Sequence, residues 1–263
     1  MKLVWRWLGL VLLAGLLLQL YFVARIAAML VIDPQSTAFE RSEAWRVTTE
    51  KGELRWRQHW TPYDKISNNL KRAVIASEDD GFATHDGVDW DALEKAWQKN
   101  TKAEERLAKA QELAERAQAK SIAKSPAKAA VPVPAKPVKA PKVVGGSTIT
   151  QQLAKNLFLS GERTLMRKGQ EFVLTLLLEA FLSKERILEI YLNSVEWGEG
   201  VFGAEAASQH YYRKPAAQLS SYEAARLAVM LPRPKYFEKL PNSSYVSGRA
   251  AIIADRLGSA ALP

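Results

Sequence analysis

Four short stretches of this sequence combine residues that could do chemistry. The first runs Ser77-Glu78-Asp79-Asp80-Gly81-Phe82-Ala83-Thr84-His85-Asp86-Gly87. Its three consecutive carboxylates follow an apolar helical turn, Ala73 to Ala76, which places at least one acid at the edge of a core. Desolvation and a like-charged neighbour would both raise that acid's pKa, as a general base requires. The plain alternative is a solvated acid run at a helix end, with Phe82 and His85 as core anchors. The second stretch is Gly145-Gly146-Ser147-Thr148-Ile149-Thr150-Gln151-Gln152-Leu153-Ala154-Lys155-Asn156. Two glycines open a tight turn, Ser147 or Thr148 caps a helix, and the helix N-terminus attracts anionic oxygens. A capped helix alone does not account for Gln151, Gln152, Lys155 and Asn156 together. In the third, Arg167, Lys168 and Glu171 fall within one helical turn, which by itself reads as a surface ion cluster. In the fourth, Lys184 to Asn193, Ile187 and Tyr191 share an apolar face, with Glu189 and Asn193 to one side.

The elements that must hold these groups are mostly helical. Thr148–Leu159, Thr164–Phe181, Lys184–Asn193 and Ser221–Met230 each space apolar residues by three and four. Ser220 or Ser221 with Glu223 marks a helix start. A further helix is expected from near Pro62, carrying Ile66, Leu70, Ala73 and Val74, and another starts at Asp89-Trp90-Asp91-Ala92-Leu93, with one of its two aspartates as a plausible cap. Residues 33 to 66 read as β-prone or irregular: Trp45 to Thr49 and Leu54 to Arg57 alternate around a Lys51-Gly52 turn. Residues 99 to 144 change character. Ala103 to Lys120 suits a solvated helix, and Ser125 to Lys142 an extended polyproline-like spacer, together an insertion within one domain.

Composition removes several function classes. There is no cysteine, which excludes disulfide and thiolate chemistry. His59, His85 and His210 lie far apart, and no H-E-x-x-H pattern occurs, so no metal site is expected. The formal charge of +9 invites a nucleic-acid reading. Yet residues 99 to 142 hold eleven Lys or Arg against four Glu, a net of +7, so most of the excess sits in one low-complexity stretch. No nucleic-acid partner is expected; anionic lipid or pyrophosphate suits the charge equally.

Leu8 to Ala24 is apolar apart from Gln19, and Ile26 to Ile32 continues the run after Arg25. That length suffices to span a bilayer. Lys2 and Arg6 precede it, so the positive-inside tendency leaves the short N-terminus in the cytoplasm and the rest outside. The run is long for a signal peptide and no clean A-x-A site follows, which favours an uncleaved anchor over residues 1–32. Arg25, near the outer end, can snorkel to the headgroups.

In order, the four stretches resemble the motifs of the family 51 glycosyltransferases: E-D-x-x-F-x-x-H-x-G, G-G-S-T-I-T-Q-Q-L-x-K-N, R-K-x-x-E and K-x-x-I-x-E-x-Y-L-N. Leu231-Pro232-Arg233-Pro234 is a weaker fifth match, and Gly203 to Tyr212 fits a later helix. The resemblance covers nearly all of residues 62 to 236 outside the insertion. It implies a mainly α, lysozyme-like glycosyltransferase domain over residues 33–263, with head and jaw, behind one transmembrane helix. No transpeptidase region follows, which points to the monofunctional biosynthetic transglycosylases.

The activity implied is inverting transfer from a polyprenyl-pyrophosphate donor, with lipid II and the growing lipid-linked glycan as substrates, on the periplasmic face of a bacterial inner membrane. By the same resemblance, Glu78 is the base, Asp79 structures its segment, and Glu171 is the second essential carboxylate near the departing phosphate. Lys155 and Arg163 match pyrophosphate contacts. Ser147, Thr148, Gln151, Gln152, Asn156, Arg167 and Lys168 line the donor site, while Glu189 and Asn193 hold the fold. A divalent cation (Mg or Mn) at the pyrophosphate and partner cell-wall synthesis proteins are compatible with the family, though the residues demonstrate neither. A lytic murein-cleaving enzyme, which would not need the Lys/Arg-rich site, and a non-catalytic membrane scaffold are the competing readings.

Overall fold

The computed structural model describes residues 2–124, 145–159, 161, 164–240 and 242–263, with backbone alone over 117–124. The chain divides into two units, residues 1–88 with 147–263 and residues 89–146.

The first unit begins with α1 (Lys2–Ala28), whose most apolar window has a mean hydropathy of 2.1. Most of α1 is exposed, but Phe22 and Ile26, with Met29 just beyond, are buried in the core of the unit. Gln19 and Gln170 exchange amide hydrogen bonds at 2.9 and 3.2 Å. Arg25 lies over the rings of Tyr21 and Phe158, at 5.9 and 5.5 Å.

Residues 38–51 form a helix, α2 (Ala38–Lys51), where alternation suggested a strand. Thr37 and Glu40 close a capping box that nucleates it. Arg46 then bridges Glu43 and Glu50 at 2.8 and 2.7 Å, pairs that only helical spacing allows. Gly52, read as a hairpin turn, is instead the left-handed C-cap (φ 73°). Of the second expected strand, Leu54 to Arg57, only Arg57 is extended in a sheet, in β1 (Arg57–Gln58). The helix expected at Pro62 starts later. Tyr63–Lys65 is a 3-10 turn, and α3 (Asn68–Glu78) begins where the Ser67 hydroxyl accepts from Asn69 N.

The other helices of this unit are α5 (Ile149–Phe158), α6 (Leu165–Phe181), α7 (Lys184–Ser194), α8 (Ala204–Tyr212), α9 (Ser221–Met230), α10 (Pro234–Phe237) and α11 (Ser244–Arg256). Ser220 with Glu223 caps α9 as a capping box. Short strands β2 (Glu196–Gly198) and β3 (Val201–Phe202) join β1 in the order β1-β3-β2, parallel to β1 and antiparallel to β2. One apolar core collects Leu70 and Val74 of α3, Leu153 and Leu157 of α5, Leu174 and Leu178 of α6, Leu188 and Tyr191 of α7, and Leu227 of α9.

The second unit is built on α4 (Trp90–Lys124), started by Asp89, whose Oδ1 accepts from Ala92 N at 2.8 Å. The helix passes residue 99 without a break. Glu112 and Arg116 pair at 2.5 Å on its solvated surface. The Ser125–Lys142 spacer lies outside the described residues. The turn expected at Gly145-Gly146 is absent: residues 145 to 148 carry no turn. Gly146 is instead a packing glycine, since a Cβ there would lie 3.2 Å from the Leu93 backbone.

Candidate active site

Glu78 is the last residue of α3, where the helix leaves the core. Its Oε2 accepts from Gln152 Nε2 at 3.1 Å, and Gln152 Oε1 accepts from Tyr191 Oη at 3.0 Å. Tyr191 is 0% exposed, so its hydroxyl has a fixed direction. It determines which end of the Gln152 amide faces the carboxylate. Burial pushes the Glu78 carboxyl above its ordinary value, with Asp79 adding to the rise and the Gln152 hydrogen bond opposing it. Tyr191 itself is raised well above its ordinary value by burial.

Asp79 is buried and holds two elements together. Its Oδ1 meets His85 Nε2 at 2.8 Å, and its Oδ2 accepts from Ile149 N, in the first turn of α5, also at 2.8 Å. A carboxylate at that position complements the helix N-terminus. His85 Nδ1 accepts from Gly87 N at 3.1 Å, leaving its proton on Nε2 for Asp79. Gly87 takes φ 84°, and a Cβ there would come within 2.8 Å of Glu179 and Thr175. Its carbonyl accepts from Thr148 Oγ1 at 2.6 Å. Thr148, not Ser147, is therefore the α5 cap; it forms a capping box with Gln151. Phe82 is buried beneath the Lys184 ammonium, 4.7 Å from its ring.

On α6 the third motif closes into one cluster. Glu171 is buried, with Oε2 on Arg167 Nη1 at 3.0 Å and Oε1 on the Lys168 ammonium. Arg167 Nε is buried with no hydrogen-bond partner. Among the described residues no group of three or more His, Asp or Glu could hold a metal. Both Glu171 oxygens already face cations, so these side chains do not fit a Mg or Mn ligand set.

The structure thus brings Glu78 to Gln152, Asp79 to His85 and the start of α5, and Glu171 to Arg167 and Lys168. It does not bring every anticipated residue to a shared point. Gln151 turns back to cap its own helix. Ser147 and Lys155 are exposed and Asn156 is half-buried on α5, while Arg163 lies outside the described residues. Glu189 pairs with Arg186 at 2.8 Å. Asn193 is buried and bonds both the N–H and the carbonyl of Thr61, at 2.8 and 2.9 Å.

Two supporting residues escaped the sequence reading. Tyr191 was grouped with the apolar face of α7, and its hydroxyl was the only signal of a polar task. Glu179 accepts from Thr150 Oγ1 at 2.6 Å and from Lys184 Nζ at 2.8 Å, while Lys184 also donates to His85 O at 2.5 Å. Nothing in its local sequence distinguishes it from a surface acid.

The chain is similar to known proteins over most of its length. A family model described as "Transglycosylase" matches residues 46–110 and 127–258. A Burkholderia thailandensis protein named biosynthetic peptidoglycan transglycosylase is 52% identical over 250 residues, 95% of this chain and 84% of that protein. Proteins of the same name from Burkholderia orbicola and Burkholderia pseudomallei are each 48% identical over 250 residues, again 95% of this chain and 87% and 84% of theirs. The chain belongs to the transglycosylase family.

Proposed function

We propose that the chain polymerises peptidoglycan glycan strands from lipid II. The acceptor's 4-hydroxyl oxygen attacks the anomeric carbon of the donor's muramyl unit and inverts it. The bond from that carbon to the pyrophosphate oxygen breaks, and the polyprenyl pyrophosphate leaves with the electron pair. The hydroxyl proton passes to Glu78. A sugar hydroxyl is a weak nucleophile, so a base matched to the task is needed. The observation that carries this reading is the Glu78 carboxylate, desolvated and lifted in pKa yet aimed by the Gln152 amide.

The leaving group demands positive charge rather than a proton. Support comes from Arg167 and Lys168 around Glu171, and from the buried, unpartnered Nε of Arg167, a donor suited to a phosphate oxygen. Lys155, exposed on α5, and Arg163 are assigned to the pyrophosphate by motif position. A divalent cation there would be held by the pyrophosphate's own oxygens, and no step here depends on one.

The same reading places the chain as a single-pass protein of a bacterial inner membrane, with the catalytic unit on the periplasmic side. α1 is long and apolar enough to cross. α6, tied to it through Gln170, exposes Leu165 (94%) and Met166 (88%), with Phe172, Val173 and Leu176 following. Exposed apolar side chains next to an anchor suit the acyl boundary of the outer leaflet.

Detergent-purified protein given labelled lipid II should extend glycan strands and should not shorten preformed ones. Strand cleavage without extension would establish the lytic alternative, and neither activity would leave the scaffold.

A further inference from the structure

A second concave site shares no residue with the cluster around Glu78. β1 and α8 wall a groove of about 560 Å³. β1 is an edge strand, paired among the described residues with β3 alone. Edge strands accept extended peptides by main-chain hydrogen bonding, with flanking side chains setting specificity.

The charges in this groove are arranged for a carboxylate. Arg57 Nη1 is 2.8 Å from His210 Nδ1. An accepting Nδ1 keeps the ring proton on Nε2, which faces Glu238 Oε1 at 3.3 Å. The guanidinium therefore meets a ring nitrogen, and no carboxylate among the described residues pairs with it. Arg213 likewise has no ion pair among the described residues. The groove's one acid, Glu205, is engaged by Ala216 N at 2.7 Å and Gln209 Nε2 at 2.9 Å. Trp56 adds a flat apolar wall, its ring stacked on Phe202 with centroids 4.4 Å apart.

Arg213 also occupies an unusual backbone position. It is the non-glycine residue with positive φ among those described, at 59°, where it caps α8 and donates its N–H to Gln209 O. Glycine is the residue that such a cap favours. A long cation there costs conformational stability, which directs attention to what the side chain can reach.

We propose that the groove binds a short acidic peptide in extended form, its carboxylates on Arg57 and Arg213 and its backbone along the open edge of β1. Guanidinium forks match carboxylates bidentately, which a lysine pair would not. The occupant is the peptide stem carried by the substrate and by the finished strand; this identification rests on the peptidoglycan reading above.

The test uses the full chain in detergent, labelled at its tryptophan indoles, with the Trp56 resonance assigned by Trp56→Phe. The probe is a muramoyl peptide with free stem carboxylates, compared with the same compound amidated. The acid form should shift the Trp56 resonance, and the amidated form should bind at least about tenfold more weakly. Arg213→Gly should weaken the acid form about tenfold without lowering the melting temperature, because glycine relaxes the left-handed cap. Arg57→Ala should act in the same direction on binding. Equal response to both probe forms overturns the assignment, as does unchanged binding by Arg213→Gly. Lipid II polymerisation is measured on the same sample. A preparation that polymerises but shows no carboxylate-dependent shift refutes the groove alone. One that binds the acidic stem but does not polymerise refutes the proposed function and leaves the peptide site standing.

Discussion

Glu78 is under two opposed demands, and its surroundings show how they are met. Burial raises its pKa above the ordinary 4.5, so folding shifts its titration toward the neutral form relative to the unfolded chain. Its contribution to stability is therefore full below the ordinary value and is lost as pH rises through the raised one. The proposed role as base runs the other way, since only the ionised form can take a proton. Glu78→Gln should lower polymerisation by about 100- to 10,000-fold and raise the melting temperature at neutral pH by about 2–4 °C. More than about a tenth of wild-type turnover, in the variant, removes Glu78 from the role of base. Tyr191 acts one step back, through Gln152. Tyr191→Phe frees that amide to turn, and the hydrogen bond that lowers the Glu78 pKa is weakened. Turnover should fall about 5- to 10-fold, and the acid limb of the pH–rate profile should move to higher pH. A merely structural tyrosine would leave that limb where it is.

At the scale of elements, the cap of α5 is where two motifs become one site. Thr148 caps the helix through Gln151 N and donates to Gly87 O, while Asp79 binds Ile149 N. The acidic loop is thereby stitched to the helix that carries Gln152. Thr148→Ala removes both roles and should cost about 1–3 kcal/mol in urea denaturation. Thr148→Ser should restore most of it, and an Ala variant as stable as wild type would show that the cap does not matter. Elsewhere local pattern misled. Alternation around Trp45 to Thr49 favours a strand, but the Thr37–Glu40 capping box lies upstream of that window and sets the helix. The same Gly52 serves equally as a hairpin turn or a left-handed cap, and sequence spacing alone does not separate them.

For the whole molecule, α1 has two parts with different work. Its first two-thirds expose leucines and valines, while Phe22, Ile26 and Met29 belong to the core. Truncation to begin at Gln19 should leave the fold intact in detergent. Truncation to begin at Asp33 removes those three side chains, each worth roughly 1.5–3 kcal/mol of burial, and should lower the melting temperature clearly. Equal melting of the two truncations would show that the end of α1 does not contribute to the core. Residues 99–144 differ again. We propose that replacing them with a short Gly/Ser loop leaves the first unit folded and activity in neutral detergent near wild type, because closure entropy changes only slowly with the length of a connection. If their net +7 draws the chain to anionic lipid, the replacement should lower activity on anionic membranes and less so in high salt. Equal activity in all settings rejects that electrostatic role.

The mainly helical, lysozyme-like fold and the family were legible in the chain because each motif is local. Helical spacing puts Arg167, Lys168 and Glu171 on one turn, and a cap and its partner lie two or three residues apart in sequence. Ser220 or Ser221 with Glu223, and an aspartate at the start of residues 89–93, could be read that way. What could not be read is contact between motifs. Gln152 lies 74 residues from Glu78 and 39 from Tyr191, and no periodicity reports which amide end faces which oxygen. The same holds for Glu179, whose partners arrive from α5 and α7. Side-chain type announces the chemistry available; burial and direction, which shift a pKa and aim a proton, exist only once the helices pack.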